Sequence, residues 1–237
     1  MGIRRGPNIV TDGLTFAVDA ANPDSYISGS TVWKDQTVNQ NNGTLTNDPT
    51  FDSNNGGSIN FDGVDDYVTC GDIVAFNGVT SFSYSGWYKQ DTLDVFNFLF
   101  GTYVDTNNNI GIYTHTDGAL YLRFRLSGVS LYVKISDYST VVTAGQWFHL
   151  SLVYNGSGVT NADKIKLYID GSLIALTFLN TFPVTTMTGI NDTTLGKLEG
   201  FTQEWNGNIS NIQIYNKALS STEVSQNYNA LKTRFGL

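Results

Sequence analysis

Leu120-Tyr121-Leu122-Arg123-Phe124-Arg125-Leu126, followed across Ser127-Gly128 by Val129-Ser130-Leu131-Tyr132-Val133-Lys134-Ile135, decides the fold of this 237-residue chain. Successive side chains of an extended backbone point to opposite faces, so alternation with period two marks a half-buried strand. The leucines and Phe124 share one face, and Tyr121, Arg123 and Arg125 share the other. The second run repeats the pattern with Ser130, Tyr132 and Lys134 outward, and Gly128 separates the two. Together they predict a β-hairpin with one face in a core and the other facing solvent.

The same grammar spreads outward. Ile165, Leu167 and Ile169 alternate inward ahead of Asp170-Gly171, a pair that supplies the positive backbone dihedrals of a tight turn. Leu14 to Asp19 alternates before a turn at Asn22-Pro23-Asp24. Phe61-Asp62-Gly63-Val64-Asp65-Asp66-Tyr67-Val68 bends between two strand-like halves and leaves three carboxylates at the bend. Val38 to Asp48, dense in Asn and Gly, predicts a loop. Ser220-Ser221-Thr222-Glu223 forms a capping box ahead of Val224, Tyr228 and Leu231, which recur at helical spacing. Many short strands, frequent turns and no fixed repeat predict an all-β fold. The form expected is a two-sheet antiparallel jelly-roll sandwich with one short C-terminal helix. Residues 1–8 read as an N-terminal arm and 9–237 as a single domain.

A net charge of −8 argues against a surface that tracks nucleic-acid phosphates, which requires clustered Lys and Arg. No run approaches the ~18–20 apolar residues of a membrane span, so membrane insertion is not expected. Met1 to Pro7 lacks the apolar stretch of a signal peptide, so Sec export is not expected either. Cys70 is the single cysteine, which excludes an intramolecular disulfide and suggests a packing role.

Three motifs occur in order: Ser81-Phe82-Ser83-Tyr84-Ser85-Gly86-Trp87-Tyr88-Lys89, Gln146-Trp147-Phe148-His149-Leu150-Ser151-Leu152-Val153-Tyr154, and Ile165-Lys166-Leu167-Tyr168-Ile169-Asp170-Gly171. With the Phe61–Val68 bend and the ending Trp205 to Ser220, they resemble the laminin-G-like branch of the concanavalin A-like lectin/glucanase superfamily over roughly Leu14 to Tyr228. The resemblance implies a sandwich that binds Ca2+ at its rim, with Asp62, Asp65 and Asp66 as candidate ligands. Ser210 stands after Gly207-Asn208-Ile209, where many relatives carry an acidic residue, so no metal site is carried over to that strand. The opening Gly13 to Tyr26, with Trp33-Lys34-Asp35 and Gly43-Thr44-Leu45 after it, resembles the laminin-G-like proteins of bacteriophages. That implies display on a virion surface, with viral capsid or tail proteins, and further copies of the chain in a homo-oligomer, as partners.

Glycosidases of the same sandwich need a nucleophile and an acid ~5–5.5 Å apart when they retain configuration. Here the glutamates are three: Glu199 and Glu204 flank a loop, and Glu223 sits in the capping box. No alternating strand presents a pair, although paired carboxylates also converge from distant segments. His149 lies in a strand motif where packing is expected. His115, in the turn-rich Tyr113 to Gly118, lines a candidate binding edge. Sugar recognition uses rings against pyranose faces and planar polar groups against hydroxyls, and Tyr121, Arg123, Arg125 and Tyr132 offer both. The same residue types also build subunit contacts. The expected function is a non-catalytic module binding a cell-surface glycan for host attachment. A purely structural virion decoration or tail-associated protein is the alternative, and a glycoside hydrolase the second.

Overall fold

The computed structural model describes residues 8–237. The expected N-terminal arm therefore lies outside the described residues except for Asn8, whose carbonyl accepts a 2.8 Å hydrogen bond from the Gln226 side chain. Two antiparallel sheets face each other, one of eight strands and one of nine.

The first sheet is ordered Ser172–Leu173, Ile165–Ile169, Trp147–Asn155, Ser81–Gln90, Asn206–Tyr215, Ser58–Asp62, Thr50–Asp52, with Leu14–Asp19 also paired to Asn206–Tyr215. The second runs Thr177–Phe178, Val129–Ile135, Leu120–Leu126, Asn108–Thr114, Asn97–Asp105, Asp192–Leu195, Tyr67–Gly71, Gly43–Thr46, Val32–Trp33. The predicted hairpin is in full register from Leu120 opposite Ile135 to Leu126 opposite Val129. Ser127 and Gly128 both have positive φ at its turn, as do Asp170 and Gly171 at theirs. The Asp62–Asp66 bend is a crossing rather than a hairpin: the strand before it belongs to the first sheet and the strand after it to the second.

The inward rows interlock through rings. Phe82 packs on Phe76, Phe124 and Tyr154, and Tyr84 on Phe100. The hydroxyls of Tyr84 and Tyr88 bond each other inside this core. Cys70 is buried there, and burial pushes its thiol up, as suits an inert packing residue. Gly43–Thr46 corrects the loop expected over Val38 to Asp48. Leu45 reaches the core, and at Gly43 a Cβ would fall 2.6 Å from the Val68 side chain, so this glycine serves close strand packing rather than a turn.

The helix Ser221–Leu231 begins with both halves of the predicted capping box, and a second helical turn occupies Asn161–Lys164. The C-terminal segment lies on the outer face of the first sheet. Trp87 stacks on Tyr228 and on Phe235, at 5.7 and 4.2 Å between centroids. Beneath it His149 is fully buried, with Nε2 2.8 Å from the Ser85 hydroxyl, and burial holds its pKa down to about 3. No helix among the described residues is long and apolar enough to cross a membrane.

Candidate functional site

The second sheet carries no helix on its outer face among the described residues, and this is where the candidate ligand residues meet. Register places Tyr113, Tyr121 and Lys134 abreast on three neighbouring strands, then Gly111, Arg123 and Tyr132, then Asn109, Arg125 and Ser130. Tyr113 and Tyr121 stack with centroids 5.2 Å apart and planes 9° from parallel, and Tyr132 meets Tyr121 edge-on at 6.2 Å. His115 closes the end of the row, 5.8 Å from the Tyr121 ring.

Asp117 ties that end together. It accepts from the Tyr121 hydroxyl at 2.7 Å, lies 3.1 Å from His115 Nδ1 and 3.6 Å from the Lys134 ammonium. Partial burial opposes its ionisation, yet bonds from Tyr121, the Ala119 amide and His115 hold it below the ordinary carboxylate range. The Tyr121 ring is therefore fixed before any ligand arrives.

The loop from Gly196 to Glu204 completes the face. Leu198 sits over Gly101 and Gly111, whose missing side chains let it approach the sheet. Phe201 follows, packing on Phe98 at 4.9 Å and on the Arg123 guanidinium at 5.2 Å. Arg123 is only 6% exposed, so the expectation of a solvent-facing row is corrected at this position by the ring above it. Arg125 and Tyr132 remain half-buried, as do Tyr121, Phe96 and Phe201. All five candidate ligand residues thus share one face, joined by Phe96, Phe98, Tyr113, Asp117, Leu198 and Phe201, which sequence reasoning missed. Tyr113 was legible in the alternation of Ile110-Gly111-Ile112-Tyr113; the loop residues carried no periodic signal.

Two clefts lie elsewhere: about 630 Å³ between Thr15, Asn41, Asp72 and Asn216, and about 480 Å³ beside Ala17, Gln36, Gln213 and Leu231. Neither of these two gathers a ring, and a smaller one of about 320 Å³ between Ser28, Leu45 and Pro49 carries Tyr26 and Phe51; the face of the second sheet is shallow and paved by more rings than any of them.

At the rim, Asp62, Asp65 and Asp66 each place a carboxylate oxygen within 4.8 Å of the others. One Asp66 oxygen accepts from the Asp62 amide at 3.0 Å, while the other is buried without a hydrogen-bond partner. Burial, then the neighbouring Asp62, Asp65 and Asp48 charges, push its pKa up to about 6 against the opposing Asp62 amide. An orphaned buried oxygen beside two exposed carboxylates fits a hard cation, which takes six to eight oxygen ligands. Glu199 and Glu204, which flank one loop, both reach the Lys197 ammonium, at 3.9 and 3.8 Å. That lysine also lies over the Tyr67 ring.

The family model for laminin G domains, described as concanavalin A-like lectin/glucanases superfamily, matches residues 62–225. The chain belongs to this family. Among solved structures, domain 4 of AbnA, a GH43 extracellular arabinanase from Geobacillus stearothermophilus, in complex with arabinotriose, has a TM-score of 0.70 at 21% identity, covering 91% of this chain and 98% of that one. The receptor binding domain of botulinum neurotoxin C/D mosaic serotype gives 0.69 at 15% identity, over 92% of this chain and 51% of that one. Trypanosoma rangeli sialidase in complex with sialic acid gives 0.65 at 14%, over 95% of this chain and 34% of that one. At such identities the likeness is one of fold. A search of curated protein sequences finds no match.

Proposed function

We propose that this laminin-G-type module binds carbohydrate without catalysis, through the outer face of its second sheet. The observation that carries the reading is the half-exposed ring row of Tyr121, Tyr132, Phe96 and Phe201, held rigid by Asp117 and bordered by His115, Lys134 and Arg125. Rings of this kind take the apolar face of a pyranose, and the polar tips beside them take its hydroxyls. The Asp62, Asp65 and Asp66 bend holds Ca2+ in this reading, supported by the orphaned Asp66 oxygen. The metal neutralises three carboxylates and stiffens the crossing between the sheets.

Display on a bacteriophage particle, beside capsid or tail proteins and in several copies, completes the proposal. Its support is the resemblance of Gly13 to Tyr26 to phage proteins. Multivalency then suits the shallow face, because millimolar sites worth about −4 kcal/mol each retain a cell when many act together. A glycan array with wild type and Tyr121→Ala, each with and without chelator, tests the binding. Specific retention lost in the variant supports it; identical retention by both, or none, removes it. Mass spectrometry of purified particles tests the mounting. Docking to particles with no glycan retained on the array favours the structural role instead.

A further inference from the structure

Resting on the reading of this face as a glycan site, we infer that its ligand is an acidic sugar whose carboxylate is held at Arg125, with Arg123 behind it.

Three arginines lie among the described residues. Arg234 is satisfied on every side: its Nη1 bonds the Asp19 carboxylate at 2.8 and 3.0 Å, its Nε the Asn55 carbonyl at 2.6 Å, and its Nη2 the Gly57 carbonyl at 2.6 Å. Lys134, Lys197 and Lys217 each have a carboxylate within 4.0 Å; Lys34, Lys89, Lys164, Lys166 and Lys232 have none among the described residues, but none of those five is buried as Arg123 is. Arg123 and Arg125 have none among the described residues, in a chain with 21 acidic side chains to choose from.

Both of their Nε atoms are also buried without a hydrogen-bond acceptor. Beside Arg125, the Asn109 side-chain oxygen is buried and unpartnered as well. The two guanidinium groups stand two residues apart on one face, so each worsens the other, and burial followed by the Arg125 charge lowers the Arg123 pKa against the neighbouring tyrosines. Leaving buried donors and like charges unpaired is costly, whereas a carboxylate accepting from a guanidinium fork makes short, charge-assisted bonds. Phe201 covers Arg123 and leaves Arg125 as the accessible fork. Arg123 supplies a second positive charge behind it, where water screens less. The ring row lies on the same face, so a sugar stacked on Tyr132 or Tyr121 carries its carboxylate toward Arg125.

Affinity electrophoresis of the whole chain tests this, in gels holding polygalacturonate, alginate, hyaluronan or polysialic acid. Gels of methyl-esterified pectin, neutral galactan and dextran sulfate serve as comparisons. Retardation by at least one carboxylated polymer is expected, lost on esterification and weakened by added salt. Arg125→Gln should reduce it by about tenfold or more, the scale of a charge-assisted bond. Arg123→Gln, checked by its melting temperature, should reduce it less. Retardation by none of the four carboxylated polymers overturns the inference, as does equal binding to the esterified polymer, preference for dextran sulfate, or unchanged binding by Arg125→Gln. A neutral glycan bound and lost in Tyr121→Ala sinks this inference alone; no binding to any glycan sinks the proposed function with it.

Discussion

Adding one methyl group at Gly101 should dismantle the proposed face from beneath. A Cβ there would lie 2.5 Å from the Lys197 carbonyl oxygen and 2.7 Å from the Leu198 Cα. Both are well inside the ~3.5–4.0 Å at which carbon atoms pack. They are backbone atoms of a loop pinned at both ends, by the Gly196 amide to Leu99 at 3.0 Å and the Phe98 amide to Gln203 at 2.9 Å. The loop must therefore lift, and the 2.7 Å bond from the Thr194 hydroxyl to the Lys197 carbonyl goes with it. Overpacking costs about 1–3 kcal/mol and the lost bond about 1 more. For a domain of this size Gly101→Ala should then melt roughly 4–16 °C lower. Gly111→Ala is the control. Its Cβ would meet side-chain atoms, Phe98 at 3.0 Å and Leu198 at 3.1 Å. Those can yield, and the stiffer unfolded chain offsets about 0.4–1 kcal/mol. Differential scanning fluorimetry with glycan retardation reads both variants. Equal melting temperatures, or a Gly101→Ala protein that binds like wild type, would refute the loop's role in building the site.

Tyr121→Ala should cut glycan affinity about tenfold and, since it removes two ring pairs worth about 0.5–1.5 kcal/mol each, also lower the melting temperature by several degrees; isothermal titration below the transition separates the two effects. Calcium should raise the melting temperature of wild type and leave Asp66→Asn unmoved, and an equal shift in both would exclude this bend as the site. Asp66 and His149 should shape stability against pH with opposite signs. In metal-free protein Asp66 holds, between its ordinary 3.8 and about 6, a proton that the unfolded chain releases, so its contribution falls as pH rises through that window. His149 refuses, between about 3 and its ordinary 6.5, a proton that the unfolded chain accepts, so stability from it is lost as pH falls. Urea midpoints across pH should accordingly show a weaker decline toward pH 6 in Asp66→Asn and a weaker acid loss in His149→Gln.

What could be read in advance was whatever depended on local periodicity. Leu120 to Ile135, Ile165 to Gly171 and the Ser220–Glu223 cap each carry their structure within a few residues, through alternation, turn dihedrals or reciprocal side-chain bonds. Tyr121, Arg123, Arg125 and Tyr132 followed from the same alternation, because one sheet face gathers every second residue. The strand Gly43–Thr46 escaped because its polar, glycine-bearing sequence is extended only by its neighbours: Leu45 has the core to enter and Gly43 a close strand to meet. The burial of Arg123 escaped for a stronger reason. It depends on Phe201, which reaches the sheet only because Gly101 and Gly111, in strands far back along the chain, leave room for Leu198. No window of sequence contains that relation.

The two outer faces of the sandwich make the final argument for a ligand. Among the described residues one substantial helix occurs, and it lies over a face where Val153, Tyr168 and Tyr215 pack with Leu219 and Val224, and where Ser83, Ser85, Ser151, Asn211 and Gln213 are buried beside Trp87 and His149. The opposite face gathers Phe96, Phe98, Tyr103, Tyr113, Tyr121, Tyr132 and Phe201, several of them half-exposed, and receives only a loop. Buried amide and indole nitrogens on the covered face, in Asn211 and Trp87, lack a partner, which shows that the helix is an imperfect lid there. A contiguous, partly wet aromatic face that no helix covers among the described residues is the pattern of a surface that completes its burial with another molecule. On the same face Arg123 and Arg125 have no carboxylate partner among the described residues, and on that the inferred acidic ligand rests.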